Sequence, residues 1–496
     1  MTRYRLRLLP LILAFAACGA DALPDTRPDL VLVVVDTLRA DRLSTFGYAR
    51  PTTPRLDALG AQGAVFLDAT AQSSWTLPSM ASLLSGRHLF VNAKRLPPAV
   101  PALAERLAAA GYETAAFLGN PAVSRAGKFD RGFQHFIGRE VTQDITWTAP
   151  VLEQVLADWL AANPRTDKPR FLYLHFMDPH WPYEPPDAPA LDGAPTVRDD
   201  TLTAWTERTK AAGPGAPLYQ RFDADRRLIL DALARYDGEV AVTDRIIGQV
   251  LERLAASAAA APRAPRALFS VLTADHGEML WDHLHHPAKI DELPASQRTL
   301  SNVFFRDHSY HMFQELVRVP LLAAGPGIPA GQRVDTPVEN VDIAPTLLRA
   351  AGLPDDPDLS GRALQDVLAG TARPRTAIFS HAQEATLVRK PDTAYKLVFP
   401  TETGDALRMP IQLYKLDTDP HERDNLYERL GKDPRVQEAL RGLFSLREQA
   451  LAGFDLYKDV DATEEDPETR RILDQMGYGG RVDGGGTTSD PEDDGR

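Results

Sequence analysis

Cysteine is almost missing from this chain: of 496 residues only Cys18 carries a thiol. One thiol near the N-terminus excludes an internal disulfide. Once that residue is modified or removed, it also excludes a thiol nucleophile. A long apolar run is missing too. Leu8 to Ala17 is well short of the roughly 20 residues that a spanning helix needs. Positive charge is in deficit, with 55 basic against 68 acidic residues and a net charge of −13, which argues against nucleic acid as a partner. No internal repeat is evident. What remains is ordinary for a globular chain, 44% hydrophobic and 25% charged, long enough for one large domain and a smaller one.

Both ends read as something other than fold. Arg3, Arg5 and Arg7 precede the apolar run, and Cys18 follows it at once, the pattern of a targeting segment. Phe15-Ala-Ala-Cys18 resembles a bacterial lipoprotein box. That resemblance implies a signal peptide over residues 1–17, with Cys18 as the lipid-modified mature N-terminus, anchored to a membrane of the bacterial cell envelope. The alternative is a plain secretory signal, cut nearby to give a periplasmic protein. At the other end, Asp459 to Arg496 holds twelve acidic and four basic residues around a Gly-rich stretch. Residues 458–496 therefore read as a solvated, disordered tail.

Between them the pattern is α/β. Leu30 to Val35, Tyr112 to Leu118, Phe171 to Phe176, Leu268 to Thr273 and Leu321 to Ala324 read as strands, most of them continuous apolar runs suited to a sheet covered on both faces. Leu103 to Gly111 and Leu228 to Leu254 read as helices. Alternation of the two implies a mostly parallel sheet. Pro185 to about Asp225 and His285 to Asp307 read as insertions, either of them a lid, a specificity loop or plain surface. Shorter strand-like pieces at Thr376–Ser380, Thr386–Arg389, Ala394–Phe399 and Ile411–Leu416 suggest an antiparallel subdomain. The expected division is a catalytic domain over 28–370 and a subdomain with a helix over 371–457.

Three segments carry chemistry. Asp36 stands just past the first strand and Asp275-His276-Gly277 just past the fourth, where open α/β sheets form their sites. Carboxylates and an imidazole are donors for a divalent cation. The third segment is Ser73-Ser-Trp-Thr76-Leu-Pro78-Ser79-Met80. A threonine hydroxyl is a poor nucleophile until a cation lowers its pKa. The helix start after it favours an anionic substrate. Taken alone, Thr76 reads as a helix cap and Asp36 as a turn residue. Further histidines are candidates for substrate contact or a second metal: His180 between two prolines, His308, and His283 after the Asp-His-Gly segment. His175, inside a buried strand, reads as a core residue.

The nucleophile segment resembles the signature of the sulfatase family, in the alkaline phosphatase superfamily. That signature has Cys or Ser, any residue, then Pro-Ser-Arg ahead of an apolar helix. Thr76 fills the nucleophile position and Met80 that of the arginine. The formylglycine that sulfatases make from Cys or Ser cannot form from Thr. Asp178-Pro-His180-Trp-Pro-Tyr183, Asn340-Val-Asp-Ile-Ala-Pro-Thr346, the pair Arg389 and Lys396, and Leu413 to Leu426 are similar to further segments of the family. The resemblance implies an alkaline phosphatase/sulfatase-like fold and one metal site (Ca, Zn or Mn) with Asp36, Thr76, Asp275 and His276 as ligands. It further implies that His180 contacts the sulfuryl or phosphoryl oxygens and that His308 lies near the leaving group. Asp36-Thr37 stands where sulfatases have paired aspartates, so a full calcium cage does not carry over. Gly119-Asn120-Pro121 replaces a Lys-x-His segment, which makes Asn120 a candidate for substrate contact.

The expectation is a metal-dependent hydrolase that cleaves sulfate or phosphate esters of a small molecule, glycan or lipid through a covalent Thr76 intermediate. Two rival readings stay open: a phosphodiesterase or phosphotransferase acting on envelope substrates, and a non-catalytic envelope binding protein on the same fold.

Overall fold

In the computed structural model, residues 25–453 are described except 90–94, 139–146, 186–189, 285–292, 305–307, 310, 383–384 and 401–409. The signal peptide, Cys18, the acidic tail and His285 and His286 lie outside the described residues. Among the described residues, no helix is long and apolar enough to cross a membrane.

Nine strands build the main sheet: β1 Asp29–Val35, β2 Ala64–Thr70, β3 Glu113–Leu118, β4 His135–Gly138, β5 Arg170–Phe176, β6 Leu268–Ala274, β7 Arg318–Ala324, β8 Gln332–Val334 and β9 Val338–Glu339. Their spatial order is β4-β3-β5-β1-β6-β7-β2-β8, with β9 also on β2. All run parallel to β1 except β7, which is antiparallel to both its neighbours. β1 lies at the centre with every residue buried, which is why its sequence is an unbroken apolar run rather than an alternating one. The expected α/β class and mostly parallel sheet are what the structure has. β2 and β4 go unread in the sequence because β2 carries Asp68 and β4 is short and only half-buried.

Six helices concern the site: α1 Pro54–Gln62, α2 Thr76–Ser85, α3 Leu103–Ala109, α4 Ala149–Ala162, α5 Asp199–Ala212 and α6 Pro217–Ala259. α6 is longer than its apolar spacing suggests. The segment 185–225 is not a loop. It contains α5, whose Trp205 is buried and donates from Nε1 to the Trp281 carbonyl.

A second sheet, antiparallel and in the order β10-β11-β12-β13, comprises Ile378–His381, Ala385–Lys390, Tyr395–Pro400 and Gln412–Lys415. One of its faces packs on the C-terminal helix Pro434–Gly453. The other packs on Met279, Met312, Phe313, Leu316 and Val317 of the large domain. Lys396 of β12 pins this seam: its ammonium sits 2.6 Å from Glu422 Oε1 and donates to the Met312 carbonyl, while Glu422 Oε2 accepts from the Gln314 amide. Both side chains are fully buried, so neither charge tolerates loss of the other. Lys396→Ala is expected to cost about 3–5 kcal/mol in equilibrium denaturation. The double change Lys396→Met with Glu422→Gln should recover most of that loss.

Candidate active site

Register brings the acidic residues together. Val34 of β1 pairs with His175 of β5 and with Thr273 of β6. Side chains two apart share a face, so Asp36, His175 and Asp275 project from one face at the carboxyl end of three adjacent strands. All three are fully buried. Asp36 Oδ1, Asp275 Oδ2 and His175 Nε2 have no hydrogen-bond partner, and ligand atoms of the three lie within 4.8 Å of one another. Buried, unpaired carboxylate and imidazole atoms facing each other are costly unless something positive joins them. Burial, and then the Asp275 charge, push the Asp36 carboxyl well above the ordinary carboxylate range. Two carboxylates and an imidazole nitrogen form a donor set suited to a divalent cation.

Backbone strain aims this cluster. Thr37 has φ of 54°, a conformation that a β-branched residue adopts only under constraint. The constraint is visible: its amide reaches Asp275 Oδ1 at 3.3 Å, and its carbonyl accepts from Tyr236 of α6 at 2.8 Å.

Thr76 is the first residue of α2, with Trp75 as N-cap, and its hydroxyl caps no backbone amide. It lies instead 3.2 Å from His276 Nε2. His276 Nδ1 donates to the Gly277 carbonyl at 2.8 Å, so Nε2 carries the lone pair and the threonine hydroxyl donates to it. That nitrogen is also 3.4 Å from Asp275 Oδ2 and 3.7 Å from Asp36 Oδ1, so it borders the same space as the carboxylates. Burial lowers the pKa of His276 and lowers those of His175 and His180 to about 4, so all three rings are neutral at pH 7. Ser79 donates to the Asp275 carbonyl at 2.6 Å, tying α2 to the metal-ligand loop. Met80, one turn beyond Thr76, is buried in the core and leaves that wall apolar.

His308 stands beside this centre. Its ring is 4.5 Å from that of His276, and its Nδ1 is 3.2 Å from Glu278 Oε1. The following residue, Ser309, has φ of 81° and donates its amide to the Ser74 carbonyl at 2.9 Å, so the His308 loop is tied to the nucleophile loop. Burial raises the Glu278 carboxyl, but the His308, His180 and His276 rings outweigh it and hold the group below the ordinary glutamate range. His180 is 5.3 Å from His308, ring to ring, and its Nδ1 donates to the Trp181 carbonyl at 2.7 Å.

Three residues sit differently from the sequence reading. His175 is not core filling: its Nδ1 is hydrogen-bonded to Tyr173 at 2.7 Å, while Nε2 faces the carboxylates. The alternation of Tyr173 and His175 in an otherwise apolar strand is the signal that could have shown it. Asn120 is bonded to the acidic cluster. It is fully buried, its amide donates to Asp36 Oδ2 and its carbonyl accepts from the Ala122 amide at 2.8 Å, so it orients a carboxylate. His283 is committed elsewhere, stacked on Phe313 at 3.8 Å and 3.3 Å from Glu315. Glu315 also takes Arg198, which reaches Asp282, and Asp282 takes Arg39. That buried charge cluster holds the segment before α5 against the loop after β6. Glu278, given no role in the sequence reading, is the partner of His308.

Comparison with known proteins bears on all of this. A family model described as Sulfatase matches residues 28–353, and one described as N-sulphoglucosamine sulphohydrolase, C-terminal, matches 304–449. Arylsulfatase K of Danio rerio is 24% identical over 454 residues, 81% of this chain and 80% of that protein. A choline-sulfatase of Rhizobium meliloti is 23% identical over 510 residues, 90% of each. Among solved structures, a putative sulfatase from Bacteroides thetaiotaomicron superposes with a TM-score of 0.62 at 21% identity, covering 89% of this chain and 96% of that one. A phosphonate monoester hydrolase of Agrobacterium radiobacter does so with 0.57 at 19% identity, covering 85% and 96%. With two thirds of its length in the family model and the acidic cluster at the sheet's carboxyl end, the chain belongs to the sulfatase family of ester hydrolases.

Proposed function

We propose that this protein is a metal-dependent esterase that cleaves sulfate esters with Thr76 as nucleophile, in a compartment outside the cytoplasm. The observation that carries the reading is the Thr76–His276 hydrogen bond beside the unpartnered Asp36, His175 and Asp275 atoms. A divalent cation held by Asp36, His175 and Asp275 would lower the hydroxyl pKa of Thr76 and offset charge on the group being transferred.

The protein's own groups supply the rest. The hydroxyl proton lies on the bond to His276 and leaves toward Nε2 as Thr76 Oγ1 attacks sulfur in line. The bond from sulfur to the alcohol oxygen breaks, and that oxygen takes a proton from His308, whose ring Glu278 orients. In the second half, water attacks the sulfur of the Thr76 ester while His308 takes its proton; the bond from sulfur to Thr76 Oγ1 breaks, the proton held on His276 Nε2 returns to that oxygen, and sulfate leaves. The His180 ring, 5.3 Å from that of His308, borders the same space and suits contact with the substrate.

Phosphate esters are the second reading. Thr76 in place of a formylglycine precursor and Met80 in place of arginine favour it, and one structural relative is a phosphonate monoester hydrolase. The N-terminal pattern of arginines, a short apolar run and Cys18 supports a place in the cell envelope, lipid-anchored through Cys18 or periplasmic.

Purified mature protein, assayed with aryl sulfate, aryl phosphate and bis-aryl phosphate, should turn over at least one of them. Thr76→Ala should lower that rate about 10³-fold or more; turnover that survives the change removes Thr76 as nucleophile, and binding without turnover of any ester favours the non-catalytic reading.

Metal content gives an independent check. Asn120→Ala frees Asp36 and should weaken metal binding roughly 10–100-fold, read by competition with a chelator. His175→Ala deletes a donor and should weaken it further; full metal occupancy at wild-type affinity in that variant would take His175 out of the ligand set.

A further inference from the structure

Three serines flank Thr76, and they are not used alike. Ser73 Oγ accepts from the Trp75 amide at 3.2 Å, and Ser79 Oγ donates to the Asp275 carbonyl at 2.6 Å. Both of those hydroxyls hold backbone in place. Ser74 is fully buried, and its Oγ has no hydrogen-bond partner among the described residues. A buried hydroxyl left unpaired destabilises a fold, so one that is kept calls for a use. Asp36 Oδ1, Asp275 Oδ2 and His175 Nε2 are unpaired in the same way, and they line the reaction centre.

The backbone shows which way Ser74 faces. Trp75, between Ser74 and Thr76, is extended, with φ of −146° and ψ of 141°. Side chains on either side of an extended residue share a face. Ser74 therefore projects to the side of Thr76, and Trp75 projects the other way, into the core. The Ser74 carbonyl accepts from the Ser309 amide at 2.9 Å, one residue from His308. The His308 ring is 4.5 Å from that of His276, and His276 Nε2 is 3.2 Å from Thr76 Oγ1. Ser74 is thus fixed between the nucleophile and the group beside the leaving oxygen.

The same place is short of donors. α2 starts at Thr76, and a helix start draws an anion through its unpaired amides. Here only the Thr76 and Leu77 amides are on offer, because Pro78 has no N–H and the Ser79 amide goes to the Trp75 carbonyl at 3.2 Å. His276 Nε2 accepts from the Thr76 hydroxyl and has no proton to give an anion before the reaction starts.

We infer that the Ser74 hydroxyl donates a hydrogen bond to an oxygen of the sulfuryl or phosphoryl group as that group moves to Thr76. The inference rests on the hydrolase reading above. A fixed donor facing oxygens whose charge grows in the transition state acts on kcat more than on KM. In the resting protein the same hydroxyl is an unpaired polar group, so its removal relieves the fold. Activity and stability therefore move in opposite directions, which a structural serine would not do.

The test is Ser74→Ala, with Ser74→Thr as the variant that keeps a hydroxyl, on the aryl ester that the wild type turns over best. For Ser74→Ala, kcat is expected to fall about 100-fold with KM within threefold. The inhibition constant of orthovanadate, which copies the five-coordinate transition state, should rise by the factor by which kcat/KM falls. The melting temperature should equal or exceed that of the wild type. Restored kcat in Ser74→Thr supports the donor. A kcat and a vanadate constant within twofold of wild type in Ser74→Ala would overturn it, and so would a lost kcat accompanied by a lower melting temperature. Wild-type protein that turns over no ester sinks the hydrolase reading, whereas wild-type turnover that Ser74→Ala leaves unchanged sinks only the donor. Turnover that survives Thr76→Ala but is abolished in Ser74→Ala overturns both and makes Ser74 the nucleophile.

Discussion

Two carboxylates share one dry space at the ends of β1 and β6, and much of the structure answers to that. Asp36 and Asp275 are both fully buried, and each charge raises the cost of the other. Parallel register puts them side by side and leaves little freedom to part them. The surroundings respond in kind. Asn120 donates to one oxygen of Asp36, the Thr37 and His276 amides donate to Asp275 Oδ1, and neutral histidines line the remaining side. The oxygens left over point at each other and at His175. Strain at Thr37 is tolerated because its amide and carbonyl both serve this arrangement.

The second sheet matters to the site through the loops it supports. Met279 follows Glu278 in sequence, and Met312 and Phe313 come shortly after His308; all three pack against β10–β13. The Lys396–Glu422 pair fixes the backbone at Met312 and Gln314. The dyad of Glu278 and His308 is thus held from outside by the small sheet and from inside by the bond from Ser309 to Ser74. Gly277 must be glycine for the same reason: a Cβ there would meet the Glu315 carbonyl oxygen at 1.9 Å.

What could be read from the sequence follows from range. Asp36, Thr76, Asp275 and His276 each sit in a short segment whose local pattern marks a strand end or a helix start, and the structure brings those four together. The central strands were legible because burial on both faces leaves an apolar run. His175 was not, since a lone histidine in a buried strand looks the same whether it is satisfied or poised over a metal. Only the register of β5 against β1 tells the two apart, and register is a long-range property. Asn120 and His283 misled for a related reason. Each lies near the site in sequence, but their partners, Asp36 and Glu315, come from 84 and 32 residues away. The segment 185–225 was too polar to look like structure, yet its Trp205 anchors α5.

The two departures from the sulfatase pattern at the centre of the site belong together. On the resemblance to the sulfatase signature, Thr37 stands where that pattern has an aspartate and Met80 where it has an arginine, so relative to the pattern one negative and one positive group are absent. Met80 instead packs into the core, and His175 supplies a neutral donor without adding charge. A hydroxyl nucleophile is compatible with this balance because it enters the site neutral and hydrogen-bonded to His276.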